Sequence, residues 1–306
     1  MNARPKVSVI VPVYNTRNVL GQCLDSLMAQ TYANVEFVFV DDASTDGSAE
    51  LLAQCASQHP EREINIIHLP QNRGRAYARN CGMDHATGDF LAFCDSDDWV
   101  EPTMIEACVN CALEQEADIV VFPFFRNEDE VIPFPDVASV GDVNLMPLDT
   151  LHYSLWNKLF RASLIRDNGF RAIEGVHYWE DLIVTAKAFV YARKTAALPY
   201  PLYHYRHPAR LRLSQEQWQT VLDDQLLTAD SLAEWFAAQG PDFAARYAPF
   251  LRYLRFVAKA KFLRLKPHQW HRWKTTYPCT TADILRLRHV PLPYRLTFAL
   301  LNLLPL

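Results

Sequence analysis

An α/β fold with a mostly parallel central sheet and a helical, basic C-terminal extension is what this sequence predicts. Three observations carry the prediction. Short β-branched apolar runs alternate with amphipathic helical stretches through the first 125 residues. Polar side chains stand just past three of those runs. From residue 215 onward the signals turn helical, and from Phe243 onward Lys and Arg displace the acids.

Taken in order, Val7 to Val13 and Val35 to Val40 are near-continuous apolar runs. Ile64 to Leu69, Phe90 to Cys94 and Ile119 to Phe125 read as three further strands. Leu20, Leu24, Leu27 and Met28 fall on one helical face. Ser44-Thr45-Asp46 suits the start of the next helix, and Pro102 suits the first turn of a helix running to about Glu116. Apolar strands between amphipathic helices imply a parallel sheet covered on both faces. From Arg126 to Asp149 the pattern breaks up, with Pro133, Pro135 and Pro147 among acids, which reads as a connecting segment. An aromatic-rich mixed region reaches Ser214, and a helical region without visible repeats follows.

The 306 residues, 50% hydrophobic and 21% charged, can bury a substantial core. The formal net charge of −5 hides an asymmetry: Phe243 to Leu306 carries twelve Lys or Arg against Asp283 alone, leaving −16 on the remainder. That acidic body argues against a nucleic-acid partner, whose reading surface would be basic. Seven scattered cysteines suit reduced thiols in the cytoplasm. Cys108 and Cys111 have CxxC spacing, but no second pair exists, so they read as ordinary helix residues. Met1 to Lys6 shows no apolar signal region, so export is not expected.

Phe93-Cys94-Asp95-Ser96-Asp97-Asp98-Trp99 is the most informative run. Three carboxylates crowd the end of a buried strand, where like charges repel and desolvation penalises ionisation. A hard divalent cation removes the conflict, since Mg2+ takes one or two protein carboxylates plus substrate phosphate oxygens. Tyr14 and Asn15 past the first strand, and Asp41 and Asp42 past the second, join these acids at one sheet edge. Ligands on open α/β sheets bind at that edge.

VSVIVPVYN at Val7 to Asn15, FVDDASTDGS at Phe39 to Ser48, NRGRAYARNCG at Asn72 to Gly82 and CDSDDW at Cys94 to Trp99 together resemble glycosyltransferase family 2. The similarity continues through Trp156-Asn157-Lys158-Leu159-Phe160 and Glu180-Asp181, and weakens after Ser214. The resemblance implies the GT-A fold of nucleotide-diphospho-sugar transferases, a divalent metal (Mn2+ or Mg2+) and transfer with inversion. It divides the chain into a nucleotide-sugar-binding half (1–125), an acceptor and catalytic-base half of the same domain (126–214), and the basic helical region (215–306).

Residue by residue, the resemblance assigns the base of the nucleotide to Asp42, Tyr14 and the backbone around Pro12 and Val13. Asp95-Ser96-Asp97 matches the DXD pattern: Asp95 contacts ribose or a metal-bound water, and Asp97 is the main metal ligand, with Asp98 the alternative. Arg79 is expected at the diphosphate, and Asp181 as the base that takes the acceptor proton. Glu180 would orient the acceptor or the base. Lys158 would approach the diphosphate or acceptor, or form a structural ion pair, and Arg206 would close over the donor phosphates. Asp41 reads equally as a turn residue, Arg73 and Arg75 as surface charge, Trp99 as packing, and His204 and His207 as loop residues. His177 and Asp181 are spaced i,i+4, but without a third ligand they make no metal site.

The expected activity is inverting transfer of a hexose or N-acetylhexosamine, from a UDP-sugar most simply, to a glycan or lipid-linked acceptor in surface polysaccharide or lipopolysaccharide synthesis. A catalytically inactive glycan-binding relative, or a sugar-phosphate nucleotidyltransferase, are the competing readings. The turn at Pro12-Val13-Tyr14-Asn15 argues against the latter, which would carry a Gly-rich loop there. The basic tail, interleaved with Leu, Phe and Trp, suits peripheral association with the anionic inner face of the plasma membrane. A helical cap on the body, or a homodimer contact, is the alternative.

Overall fold

The computed structural model describes residues 4–127, 129–134, 142–144, 153–206, 213–267, 269–287 and 290–303. The chain separates into two compact units, one of Met1–Asp142, Leu151–Val176 and Glu180–Ala209, the other of Val143–Thr150, His177–Trp179 and Arg210–Leu306. Two short segments, Val143–Thr150 and His177–Trp179, group with the C-terminal unit.

In the first unit, β1 (Val7–Val13), α1 (Arg17–Met28), β2 (Val35–Asp41), α2 (Ser48–Gln58), β3 (Glu63–His68), α3 (Arg75–His85) and β4 (Phe90–Phe93) alternate as the periodicity predicts. Next come β5 (Trp99–Val100), α4 (Met104–Glu114), β6 (Ile119–Val121), β7 (Phe124–Arg126), β8 (Glu130–Ile132), β9 (Lys158–Arg161), α5 (Ala162–Arg166), α6 (Glu180–Tyr191), β10 (Thr195–Ala197) and β11 (Tyr203–Tyr205). The main sheet has the order β10-β6-β9-β4-β1-β2-β3. Its pairings are parallel except those of β9, which runs antiparallel to both β4 and β6. Every residue of β2 is buried, as a strand covered on both faces must be, whereas β3 at the sheet edge is nowhere fully buried.

The expected strand Ile119 to Phe125 is in fact two, because Pro123 has no N–H to donate and ends the ladder. Its second half, β7, joins a small sheet of order β5-β11-β7-β8. Two helix starts also differ. No side chain caps α2 in the usual way; Asp46 instead accepts from Ser48 N (3.0 Å) and from Arg17 N (2.9 Å), tying the starts of α1 and α2 together. Pro102 precedes α4 by two residues rather than standing in its first turn.

The second unit is helical: α7 (Gln215–Ala238), α8 (Pro241–Lys259), a 3-10 turn at Ala260–Arg264, α9 (Trp270–Thr275), α10 (Thr281–Leu285) and α11 (Leu292–Leu303). Ser214 and Gln217 form a capping box at the start of α7, and Pro241 opens α8. Leu222, Tyr253, Phe256, Phe262, Trp273 and Ile284 are among its core residues. Among the described residues, no helix is long and apolar enough to cross a membrane.

Candidate active site

Strand order decides where the site lies. Because β4, β1 and β2 are neighbours, the residues past their carboxyl ends fall side by side. At the end of β1, Val13 is buried and Tyr14 lies 48% exposed. At the end of β2, Asp42 is buried, and its carboxylate accepts from the backbone N–H groups of Arg73 (2.7 Å) and Gly74 (2.8 Å). Gly74 has φ +83°, a left-handed conformation that lets the chain enter α3 with its N–H aimed at Asp42. Asp41 is the turn residue weighed above: it accepts from Ser44 N (3.0 Å) and pairs with His68 (3.0 Å).

The acidic run after β4 alternates. Asp95 and Asp97 are accessible, whereas Ser96 and Asp98 are buried at 5% and 1% exposure. Asp98 accepts from Tyr203 Oη (2.7 Å) and from Arg206 N (2.7 Å). Burial, with the charges of Asp95 and Asp97, pushes its carboxyl up to about 8. Asp98 therefore fastens β11 to the acidic loop, both of its oxygens being engaged, against the expectation that it is the alternative metal ligand. Asp97 is also raised, by desolvation first and then by the Asp95 charge. A cation held by Asp95 and Asp97 would relieve that repulsion, so the two accessible carboxylates fit a divalent metal completed by substrate oxygens. Among the described residues, no three His, Cys, Asp or Glu side chains form a metal cage.

Arg206 does not reach outward over a donor. Its Nε donates to Asp97 O (2.8 Å) and its Nη2 to Gln22 Oε1 (2.7 Å), and the guanidinium lies 5.1 Å from the Trp99 ring centroid. His204 stands in a strand, not a loop, stacked between Trp99 (4.8 Å) and Phe125 (4.4 Å) and paired with Glu101 (2.7 Å). His207 lies outside the described residues.

Arg79 forms the centre of the site. Only 1% exposed, it donates through Nη2 to Asp95 Oδ1 (2.6 Å) and through Nη1 to Glu180 Oε1 (3.2 Å). The same Nη1 also donates to Asp181 Oδ1. The expectation that Arg79 grips a diphosphate is thereby corrected, because its guanidinium is committed to three carboxylates. Ala76 and Met83 share its buried helix face, which turns Arg79 inward. Arg75, one turn earlier, adds a weaker contact to Glu180 Oε1 at 3.4 Å, and Arg73 pairs with Glu174 at 3.0 Å.

Two cations thus face three acids, and protons absorb the excess. Burial first, then the Asp181 charge, pushes Glu180 up to about 7 against the pull of Arg79 and Arg75. Asp181 is raised by burial and by Asp95, with Arg79 opposing, and its Oδ2 accepts from Leu155 N at 3.2 Å. A carboxylate with a raised pKa is a better proton acceptor than an ordinary one. Lys158, expected at the diphosphate or acceptor, is instead enclosed at 1% exposure on the central strand β9. Its Nζ donates to Ser154 O (2.5 Å) and Asn157 Oδ1 (2.6 Å), and burial pushes its pKa well below the lysine range despite the Asp181 charge.

Sequence reasoning missed Tyr203. Its hydroxyl donates to Asp98 and accepts from Asp95 N (3.0 Å), so one buried phenol sets the shape of the acidic loop. The only sequence signal was its place in the Tyr203-His204-Tyr205 strand.

Comparison with known proteins agrees with this geometry. A family model described as Glycosyl transferase family 2 matches residues 8–172, more than half of the chain. The chain belongs to glycosyltransferase family 2. It is similar to Glycosyltransferase GlyA of Streptococcus pneumoniae, at 32% identity over 72% of this chain and 34% of that protein. Alignments with the curated relatives span from about a third to about three-fifths of those proteins' own lengths. Among solved structures, TarS 1–349 of S. aureus in complex with UDP-GlcNAc matches with a TM-score of 0.63 at 19% identity, covering 97% of this chain and 90% of that one. The mannosyltransferase PcManGT of Pyrobaculum calidifontis, in complex with GDP-Man and Mn2+, matches with a TM-score of 0.61 at 20% identity, covering 98% and 85%. These structures establish the GT-A type of fold for this family member.

Proposed function

We propose that this chain is an inverting glycosyltransferase that moves a hexose or N-acetylhexosamine from a UDP-sugar to a hydroxyl of a surface glycan or glycolipid. The observation that carries the reading is the Arg79 junction. One guanidinium binds Asp181, which would receive the acceptor proton, and Asp95, which belongs to the donor-side acidic loop. Acceptor and donor machinery are thereby held in a common frame. In the single displacement, the acceptor oxygen bonds to the anomeric carbon as its proton passes to Asp181. The bond from that carbon to the diphosphate breaks, and the nucleoside diphosphate leaves with the electron pair. Tyr14, the backbone at Pro12 and Val13, and Asp42 would receive the base. Asp97 and Asp95 would hold Mn2+ or Mg2+, which supplies positive charge for the departing diphosphate.

Support for the donor class comes from the neighbours' complexes, one with UDP-GlcNAc and one with GDP-Man and Mn2+. Support for a location at the membrane surface comes from the C-terminal unit. On α11, Leu292, Leu296, Leu300 and Leu303 are 49–69% exposed and spaced along one helical stripe, in a region rich in Lys and Arg. Such a stripe suits the headgroup boundary of an anionic membrane on the cytoplasmic side.

The test is turnover of a panel of UDP- and GDP-sugars with Mn2+, followed as nucleoside diphosphate release. Asp181→Asn should lower kcat by about 10²–10⁴-fold while nucleotide binding persists. Asp97→Ala should remove the metal dependence. Wild-type turnover by Asp181→Asn, or no turnover of any donor by the wild-type chain, would sink the proposal, the latter in favour of a glycan-binding relative.

A further inference from the structure

A cavity of about 370 Å3 lies wholly within the C-terminal unit. Its size falls in the range of small-molecule sites. Arg252, Arg255 and Lys259 reach it from α8 at spacing i, i+3, i+7, one face of one helix. Three like charges on such a face repel one another unless something opposes them.

The opposition within the protein is incomplete. Lys259 is 1% exposed, yet among the described residues its ammonium meets only neutral groups: Tyr277 O (3.0 Å), Cys279 Sγ (3.2 Å) and the face of Trp273 (4.6 Å). A buried cation without a counter-charge is expensive. Arg255 pairs with Asp230 at 3.6 Å and lies 4.8 Å from the Tyr277 ring centroid, while its Nε is buried with no hydrogen-bond partner among the described residues. Arg252 makes no ion pair among the described residues. The one acid in the lining, Asp283, spends an oxygen on its own helix cap, accepting from Thr280 N (2.9 Å) and Thr280 Oγ1 (2.7 Å). Phe256, Ile284 and Leu287 supply the apolar part of the lining.

We infer that this cavity is a binding site for a phosphate group carried on an apolar chain. The phosphate supplies the missing counter-charge to Lys259 and a partner to Arg252, and fork-shaped guanidinium groups match its oxygens. The apolar lining takes the first carbons of the chain. The site is separate from the acidic donor site and does not depend on the transfer reading. Its phosphate could come from a lipid headgroup or from a soluble phosphate ester.

Titration calorimetry on the full chain, at low salt with excess UDP present, tests the inference. The probes are dioctanoyl phosphatidate below its aggregation concentration, uncharged dioctanoylglycerol and inorganic phosphate. Binding of phosphatidate, weakened about tenfold or more by Arg252→Gln/Arg255→Gln at an unchanged thermal transition, is the expected result. Phosphatidate binding without inorganic phosphate binding assigns the site to a lipid headgroup. Comparable binding of both assigns it to soluble phosphate esters. Equal affinity of the double variant, equal binding of dioctanoylglycerol, or binding of neither phosphate probe overturns it. Should the double variant lose its thermal transition, Arg252→Gln alone is titrated, with the same two outcomes.

Discussion

Removing the Arg79 charge makes the most demanding test of the site. In Arg79→Met, a side chain of similar length loses the guanidinium that Asp95, Glu180 and Asp181 share. Breaking a buried ion pair from one side costs about 3–5 kcal/mol, because the charge left behind is uncompensated. The pH dependence is the sharper signature. Glu180 is already raised from 4.5 to about 7 in the folded chain. A carboxyl raised on folding is neutral in both states below its ordinary value, and stability falls as pH climbs from there to the folded value. For Glu180 that loss is about 3 kcal/mol by pH 7. Without Arg79, the neighbouring carboxyls rise further, and the folded variant binds about one proton more than wild type near neutrality. Each such proton steepens the decline by ~1.4 kcal/mol per pH unit. Between pH 5.5 and 7.5 the deficit of the variant should therefore grow by about 3 kcal/mol. Denaturant unfolding followed by circular dichroism at three pH values measures it. Arg79→Lys retains the charge and should recover much of the slope while losing the paired geometry. Parallel stability curves for wild type and Arg79→Met would refute the reasoning.

Three further outcomes follow from the same structure. Glu36, 1% exposed, is lowered to about 2: burial opposes ionisation, but Lys6, Ser8 and Thr87 outweigh it. Its contribution is therefore present above about pH 4.5 and lost as pH falls toward 2, and Glu36→Gln should cost about 3 kcal/mol at pH 7 and converge with wild type in acid titrations. Tyr203→Phe withdraws the phenol from Asp98 and from Asp95 N, so stability should fall by about 1–3 kcal/mol and the donor KM should rise in steady-state assays. Leu296→Glu/Leu300→Glu on the exposed stripe of α11 should abolish flotation with anionic vesicles; undiminished flotation would point to another surface.

β1 and β2 were legible because each is a seven-residue, largely apolar run. The four pieces from β1 to β4 and the helices between them follow from periodicity alone. The small second sheet was not, since strands such as Trp99–Val100 and Glu130–Ile132 are too short to show a period. Nor could the antiparallel insertion of β9 be read, because it depends on a pairing between distant parts of the chain. The aromatic cluster Trp156, Tyr203 and Tyr205, stacked at 4.5 and 5.4 Å, shows what stabilises that region once pairing has occurred.

The site itself divides along the same line. The residue types at the sheet edge were readable, and so was the pressure toward a cation near Asp95, Asp97 and Asp98. What composition could not convey was direction. The alternation of burial through Asp95, Ser96, Asp97 and Asp98 separates two accessible carboxylates from one that serves the scaffold, and in a turn no strand period announces it. Arg79 posed the same problem on a helix: its motif points to the diphosphate, but its helical partners Ala76 and Met83 mark an inward face. An arginine in that position needs counter-ions, and it meets them in Asp95 and, about a hundred residues downstream, in Glu180-Asp181. The acidic residues of the two motifs are thus electrostatically required by a third, and a substitution at any one of them changes the protonation of the others.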